Sequence, residues 1–248
     1  MHIRNKTFSR RALREITREE FKRHHDTLLP TYPDQGDRNQ IIANSLVKHY
    51  LNGEWLDTYI HSSSPDADYL RVDINAPLPE RAKAMIRYWE FAETLLNLQD
   101  VEGFEVVLEE LIHGKIESAC AEIDIARMIL FHDLRLRFIK PNRGTKLNYD
   151  FEIYYKDGFK VCAEAATKLE STTPNARSIL KSIRESRAQL PDDEPSVILI
   201  KVPKNWLRDV PLANQISNVA NGYLHQSIRR LRIFGQRDKL KADRSKRT

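Results

Sequence analysis

Glu164 is the residue whose surroundings most strongly suggest chemistry. It lies inside an apolar segment, 161–166, whose composition predicts a buried β-strand. A buried carboxylate costs free energy unless it has an ionic partner or binds a metal ion. Two interpretations therefore stand side by side: a structural ion pair with a lysine, and a ligand for a cation.

A second carboxylate, that of Asp150, is expected close to Glu164. Segments 148–155 and 159–166 have the composition of strands, and Asp157-Gly158 between them predicts a tight hairpin turn of the primed type. Such a turn would pair position 150 with about position 165, which makes the two carboxylates near neighbours across the sheet.

The repulsion between two such carboxylates favours a bound cation. Mg²⁺, or Mn²⁺ in its place, suits carboxylate oxygens, backbone carbonyls and water molecules. We therefore expect Asp150 and Glu164 as metal ligands, together with the carbonyl oxygen of Ala165 and a water molecule that Glu122 could hold.

Hydrophobic spacing and turn residues predict the elements around these acids. The predicted strands are 134–141, 148–155, 159–166 and 197–202, and the predicted helices are 7–28, 39–52, 80–98, 104–112, 115–131, 173–190 and 212–231. From residue 115 onward the order is helix, three strands, helix, strand, helix. This order predicts an α/β class with a mixed sheet flanked by helices, preceded by an N-terminal helical region.

Polar, turn-forming residues between positions 62 and 79 suggest a boundary between domains. The expected organisation is a mainly helical region over 1–100, an α/β core over 101–235, and a basic tail over 236–248 that is expected to be disordered.

The composition narrows the class of protein. The chain has a net charge of +5, with basic residues concentrated near both ends. This distribution permits binding to the phosphates of nucleic acid, although solvated helix faces explain it equally well. A secretory leader and a long apolar run are both missing from the sequence, so we expect a cytoplasmic protein without a membrane partner.

Several familiar active sites are excluded by their missing motifs. The sequence contains no H-E-x-x-H, no G-x-G-x-x-G, no P-loop and no G-x-S-x-G pattern. Its two cysteines, Cys120 and Cys162, lack C-x-x-C spacing, which disfavours a zinc cluster.

The order of elements and acids over about residues 104–232 resembles the PD-(D/E)xK, or restriction-endonuclease-like, nuclease superfamily. Glu122, preferred over Glu117, matches the acid of the leading helix, and Asp150 matches the motif aspartate without its preceding proline. Glu164 matches the glutamate of the E-x-K motif. The resemblance implies a restriction-endonuclease-like sheet and a catalytic set that includes Glu122, Asp150 and Glu164.

The chain departs from that motif at the lysine, because position 166 is alanine. Lys168 is the nearest replacement for it and is included in the expected catalytic set. Lys160 and Gln189 are the alternatives that we considered.

Three functions remain compatible with the sequence. The resemblance implies metal-dependent hydrolysis of phosphodiester bonds in nucleic acid, with DNA preferred over RNA as the partner. Loss of the lysine points instead to a catalytically degenerate nucleic-acid-binding module. A protein-interaction domain that reuses the fold is the third function, and the sequence leaves the oligomeric state open.

Overall fold

The computed structural model describes residues 15–61, 69–73, 75–141, 148–168 and 175–202, together with residues 206 and 214. The chain divides into two compact units, residues 1–140 and residues 141–248. The sequence predicts a division near residue 100. The grouping in the structure instead assigns the segment 101–140 to the first unit.

The first unit is mainly helical. Its elements are α1 (Arg18–Leu28), α2 (Gln35–Leu51), α3 (Gly53–Trp55), a π-helical segment (Leu56–His61), α4 (Leu78–Leu98), α5 (Phe104–Ile112), α6 (Ile116–Phe131) and one strand, β1 (Arg135–Phe138). Among these, the segment from α3 to the π-helix has no counterpart in the sequence prediction. Helix α1 begins at Arg18 because Thr17 and Glu20 form a capping box.

Packing of α2 on α4 and of α4 on α6 builds the core of the first unit. The buried indole of Trp55 donates from Nε1 to the carbonyl oxygen of Leu111 at 2.8 Å, so its polar atom is satisfied. Gly103 has a φ of 79°, and an added Cβ would lie 2.2 Å from the carbonyl oxygen of Phe138. Only glycine fits this close approach of α5 to β1.

The second unit is a mixed α/β structure. Its elements are β2 (Phe151–Tyr154), β3 (Lys160–Thr167), α7 (Ala176–Arg187) and β4 (Ser196–Lys201). Strand β2 pairs with β3 in antiparallel fashion, whereas β3 pairs with β4 in parallel. The predicted α/β class and mixed sheet are therefore confirmed, with each strand within a few residues of its predicted place.

The hairpin forms where the sequence predicts it, but the predicted primed type of turn is wrong, because Gly158 has a positive φ and Asp157 does not. Tyr155 donates its N–H to the carbonyl oxygen of Phe159 at 2.9 Å, and Gly158 donates to that of Tyr155 at 3.0 Å. These bonds enclose a three-residue loop in which Gly158 has a φ of 81°. Phe151 pairs with Ala163, so the register differs by one residue from the predicted pairing of position 150 with about position 165.

Helix α7 connects β3 to the parallel strand β4 and packs against both. Its buried residues meet the sheet in one apolar cluster, formed by Cys162, Ile179, Ile183, Leu190, Ile198 and Trp206. Asn175 caps the start of the helix by accepting the N–H of Arg177 at 2.9 Å. The cluster packs α7 against the sheet.

Two sequence predictions lie outside the described residues: the helix over 212–231, apart from Asn214, and the tail over 236–248. In the part of the chain that the structure describes, no helix combines the length and the apolar character that a membrane span requires.

Candidate functional site

Asp150 is fixed against β3 at the point where β2 begins. Its backbone N–H donates to the carbonyl oxygen of Ala163 at 3.1 Å. Its side-chain Oδ2 accepts the N–H of Ala165 at 2.7 Å. The Asp150 carboxylate thus takes the place of a backbone acceptor for the residue next to Glu164. The two acidic side chains are neighbours, as the hairpin predicted.

Glu164 lies in the middle of β3 with only 5% of its surface exposed. Its Oε1 accepts a hydrogen bond from Nε2 of Gln189 at 2.7 Å. Its other oxygen, Oε2, is buried and has no hydrogen-bond donor among the described residues. A buried acceptor that is left unsatisfied is costly, and more so when it is charged.

The surroundings of Glu164 disfavour its ionised form. Burial is the largest cause, followed by the charge of Asp150 and by the hydrogen bond that protonated Glu164 makes with the Asp150 carboxylate. Together they raise the pKa of Glu164 to about 9, against the opposing effect of the hydrogen bond from Gln189. Two ionised carboxylates can only accept hydrogen bonds. A proton or a cation between Asp150 and Glu164 would therefore relieve their repulsion.

Lys168 follows β3 directly, and its side chain is engaged by α7. Its Nζ donates to Oγ of Ser182 at 2.6 Å. Burial lowers the pKa of Lys168, with Glu185 opposing the shift and Lys181 adding to it. Ala166 occupies the position where the motif lysine is expected and pairs with Ile200 of β4. The role of Lys168 as a replacement stays a prediction.

Glu122 lies on α6, in the first unit, and is half-buried. The second unit by itself therefore contributes two of the predicted acids, Asp150 and Glu164. Within the described residues, no group of three or more His, Cys, Asp or Glu side chains is arranged to hold a metal ion.

A second buried carboxylate, that of Glu152, lies on β2 with 4% exposure. It accepts hydrogen bonds from the hydroxyls of Tyr149 at 3.1 Å and Tyr154 at 2.5 Å. Nζ of Lys160 lies 3.2 Å from Glu152 and 2.7 Å from Glu194. The structural ion pair that the sequence allowed for Glu164 is thus found at Glu152, which the sequence analysis did not place in a site.

The residues present fit a divalent cation in the chemistry of their donors. Asp150 and Glu164 offer hard carboxylate oxygens, and Oε2 of Glu164 is a buried acceptor with an unmet need for a positive partner. Ala165 takes part through its N–H. A contribution from its carbonyl oxygen stays a prediction.

Gln189 is the site residue that sequence reasoning undervalued. It was considered only as a substitute for the missing lysine, yet its amide makes the direct hydrogen bond to Glu164. The one available signal was its position just before Pro191, at the end of an amphipathic helix.

Comparison with known proteins leaves the family open. No family model, no curated protein and no solved structure matches this chain.

Proposed function

We propose that the second unit is a metal-dependent, nuclease-like domain of the PD-(D/E)xK kind that hydrolyses phosphodiester bonds of nucleic acid, DNA rather than RNA. The observation that carries the proposal is the buried, unsatisfied Oε2 of Glu164 beside the carboxylate of Asp150. Such a pair is unfavourable in a purely structural role and is favourable around a cation.

The chain's own residues would act mainly by position and charge. Asp150 and Glu164 would hold a Mg²⁺ or Mn²⁺ ion, and the N–H of Ala165 keeps the Asp150 carboxylate in place. When bound, the ion would supply Lewis-acid chemistry at a phosphate oxygen and lower the pKa of a bound water molecule.

Exposed basic residues on α7 support a nucleic-acid partner. Arg177, Lys181 and Arg184 are exposed at spacings of four and three residues, which places them along one face of the helix. Positive side chains in such a row suit contacts with successive phosphates, which do not depend on base sequence.

A second candidate function is a catalytically degenerate nucleic-acid-binding module. It is favoured by Ala166 at the expected lysine position and by the engagement of Lys168 with Ser182. This module would bind nucleic acid through its basic residues and would not cut it. A protein-interaction domain would do neither.

The test is cleavage of plasmid, linear duplex and single-stranded DNA and RNA with Mg²⁺ or Mn²⁺. Wild type is compared with Asp150→Asn and Glu164→Gln, and with Asp193→Asn as a control that neutralises an exposed acid of the same unit. We expect the first two changes to lower the rate at least about 100-fold, because they alter the proposed metal ligands themselves and loss of an outer-shell partner alone usually costs less. The control should leave the rate unchanged.

The outcomes separate the candidate functions. Cleavage that disappears with Asp150→Asn and Glu164→Gln but survives Asp193→Asn supports the nuclease. Salt-sensitive binding without cleavage by wild type supports the degenerate module. If neither binding nor cleavage occurs, the nuclease proposal is rejected and a protein partner becomes the better hypothesis.

A further inference from the structure

Gln189 connects both acid-bearing segments of the second unit. Its side-chain Nε2 donates to Oε1 of Glu164 at 2.7 Å. Its backbone carbonyl oxygen accepts the N–H of Asn148 at 3.2 Å, two residues before Asp150. One residue thus contacts the segment leading to Asp150 and the strand that carries Glu164.

The backbone of Gln189 is held firmly. It follows α7, and its N–H donates to the carbonyl oxygen of Ser186 at 3.1 Å. The next residue, Leu190, is buried in the apolar cluster, and its carbonyl oxygen accepts a hydrogen bond from the guanidinium of Arg187 at 3.0 Å. The anchored backbone keeps the amide of Gln189 within hydrogen-bonding reach of Glu164.

This bond divides the two oxygens of Glu164 between different tasks. Oε1 is engaged by Gln189, whereas Oε2 is buried and has no donor within the described part of the chain. A cation could therefore bind Oε2, in place of a proton shared with Asp150, and leave the hydrogen bond from Gln189 intact. A cation that needed both oxygens would have to break the bond to Gln189.

We infer that Gln189 is a positioning residue that restricts Glu164 to a single oxygen for metal binding and so favours Mg²⁺ or Mn²⁺ over Ca²⁺. The inference rests on the proposed metal site and adds the residue that determines its selectivity.

The coordination habits of these ions give the physical reason. Ca²⁺ accepts six to eight oxygens and often takes both oxygens of one carboxylate, whereas Mg²⁺ requires a compact octahedron and keeps several water molecules. A glutamate with one oxygen engaged by an amide suits the coordination of Mg²⁺ and opposes that of Ca²⁺. Loss of the amide should therefore help Ca²⁺ relative to Mg²⁺.

Calorimetric titration of the full chain tests this inference. The protein is first freed of metal with a chelator, and the chelator is then removed. Mg²⁺, Mn²⁺ and Ca²⁺ are titrated into wild type, Gln189→Met and Gln189→Asn. Methionine keeps the volume of glutamine without a donor, and asparagine keeps an amide that is too short to reach Glu164. We expect the ratio of the Kd for Ca²⁺ to the Kd for Mg²⁺ to fall about tenfold in both variants, the lower end of outer-shell effects.

Leu190→Ala is the control for general loosening of the end of α7. It opens a cavity in the apolar cluster while retaining the amide of Gln189, so it should weaken binding of all three ions together and leave their ratio unchanged.

The possible results are distinguishable. An unchanged ratio in both Gln189 variants, or an equal fall in Leu190→Ala, overturns the inference and leaves the metal site standing. Failure of wild type to bind any of the three ions overturns both the metal site and the inference.

Discussion

Glu152 and Glu164 are buried to the same degree, yet their surroundings differ. They lie on adjacent antiparallel strands, with 4% and 5% of their surfaces exposed. Glu152 has two tyrosine hydroxyls and a lysine as partners. Glu164 has one amide on Oε1, no donor within the described residues on Oε2, and a second carboxylate beside it.

The difference shows that two equally buried carboxyl groups can differ in how well their charge is compensated. Burial alone does not separate the two glutamates, because both are within the protein. The number and the charge of their partners distinguish the two glutamates. Lys160 joins Glu152 to Glu194 and links β2, β3 and the segment before β4, whereas Glu164 has no cationic partner among the described residues.

The largest contrast is expected in stability. Glu152→Gln removes the charge that faces Lys160 and disturbs both tyrosine hydrogen bonds, and it should lower the free energy of unfolding by about 1–3 kcal/mol. Glu164→Gln replaces a carboxyl group whose ionised form is disfavoured by burial and by Asp150, and it supplies an amide that can donate to Asp150. In metal-free buffer it should leave the stability unchanged or raise it slightly. Urea unfolding with a chelator at neutral pH measures both, and a loss of similar size in the two variants would contradict the comparison.

A substitution at Ala166 would give the Glu164 site the kind of partner that Glu152 already has. Residues 164 and 166 share a face of β3, so Ala166→Lys places an ammonium group close to the carboxylate pair. If the domain cuts nucleic acid, we expect cleavage to become about tenfold faster, equivalent to about 1.4 kcal/mol of transition-state stabilisation. Ala166→Met controls for the length of the new side chain, and equal rates in the two variants would show that the charge has no role.

The last expected contrast is a dependence of metal-free stability on pH. The ordinary pKa of a glutamate is about 4.3, whereas the folded protein raises that of Glu164 to about 9. Between these values the folded state keeps a proton that the unfolded chain releases, so the contribution of Glu164 to stability falls as pH rises. We expect wild type to lose stability relative to Glu164→Gln from pH 5 to pH 8, at no more than about 1.4 kcal/mol per pH unit, which is the limit for a single proton. Parallel curves for the two proteins would refute the raised pKa.

Part of this site could be predicted from the sequence. The apolar neighbours of Glu164 correctly predicted its burial, and the hairpin correctly brought Asp150 near it. The type of the turn was predicted wrongly because Asp-Gly occurs both in two-residue primed turns and in three-residue loops that end in a left-handed glycine.

The partners of each carboxylate could not be predicted from the sequence. Glu152 sits among residues typical of a half-exposed strand, and its ion pair with Lys160 depends on the register of the hairpin, which places Tyr154 opposite Lys160 and Glu152 opposite Cys162. The contact of Gln189 with Glu164 joins residues 25 positions apart. It depends on how α7 packs on the sheet.

The sequence by itself determined the local structure of the second unit, because periodicity, capping residues and glycine act over a few neighbouring positions. It also determined that a carboxylate would lie within an apolar strand. Only the tertiary structure decided which buried glutamate is satisfied and which is not. A hydrogen bond forms or fails over a fraction of an ångström, and that distance is set by strand register and helix packing together.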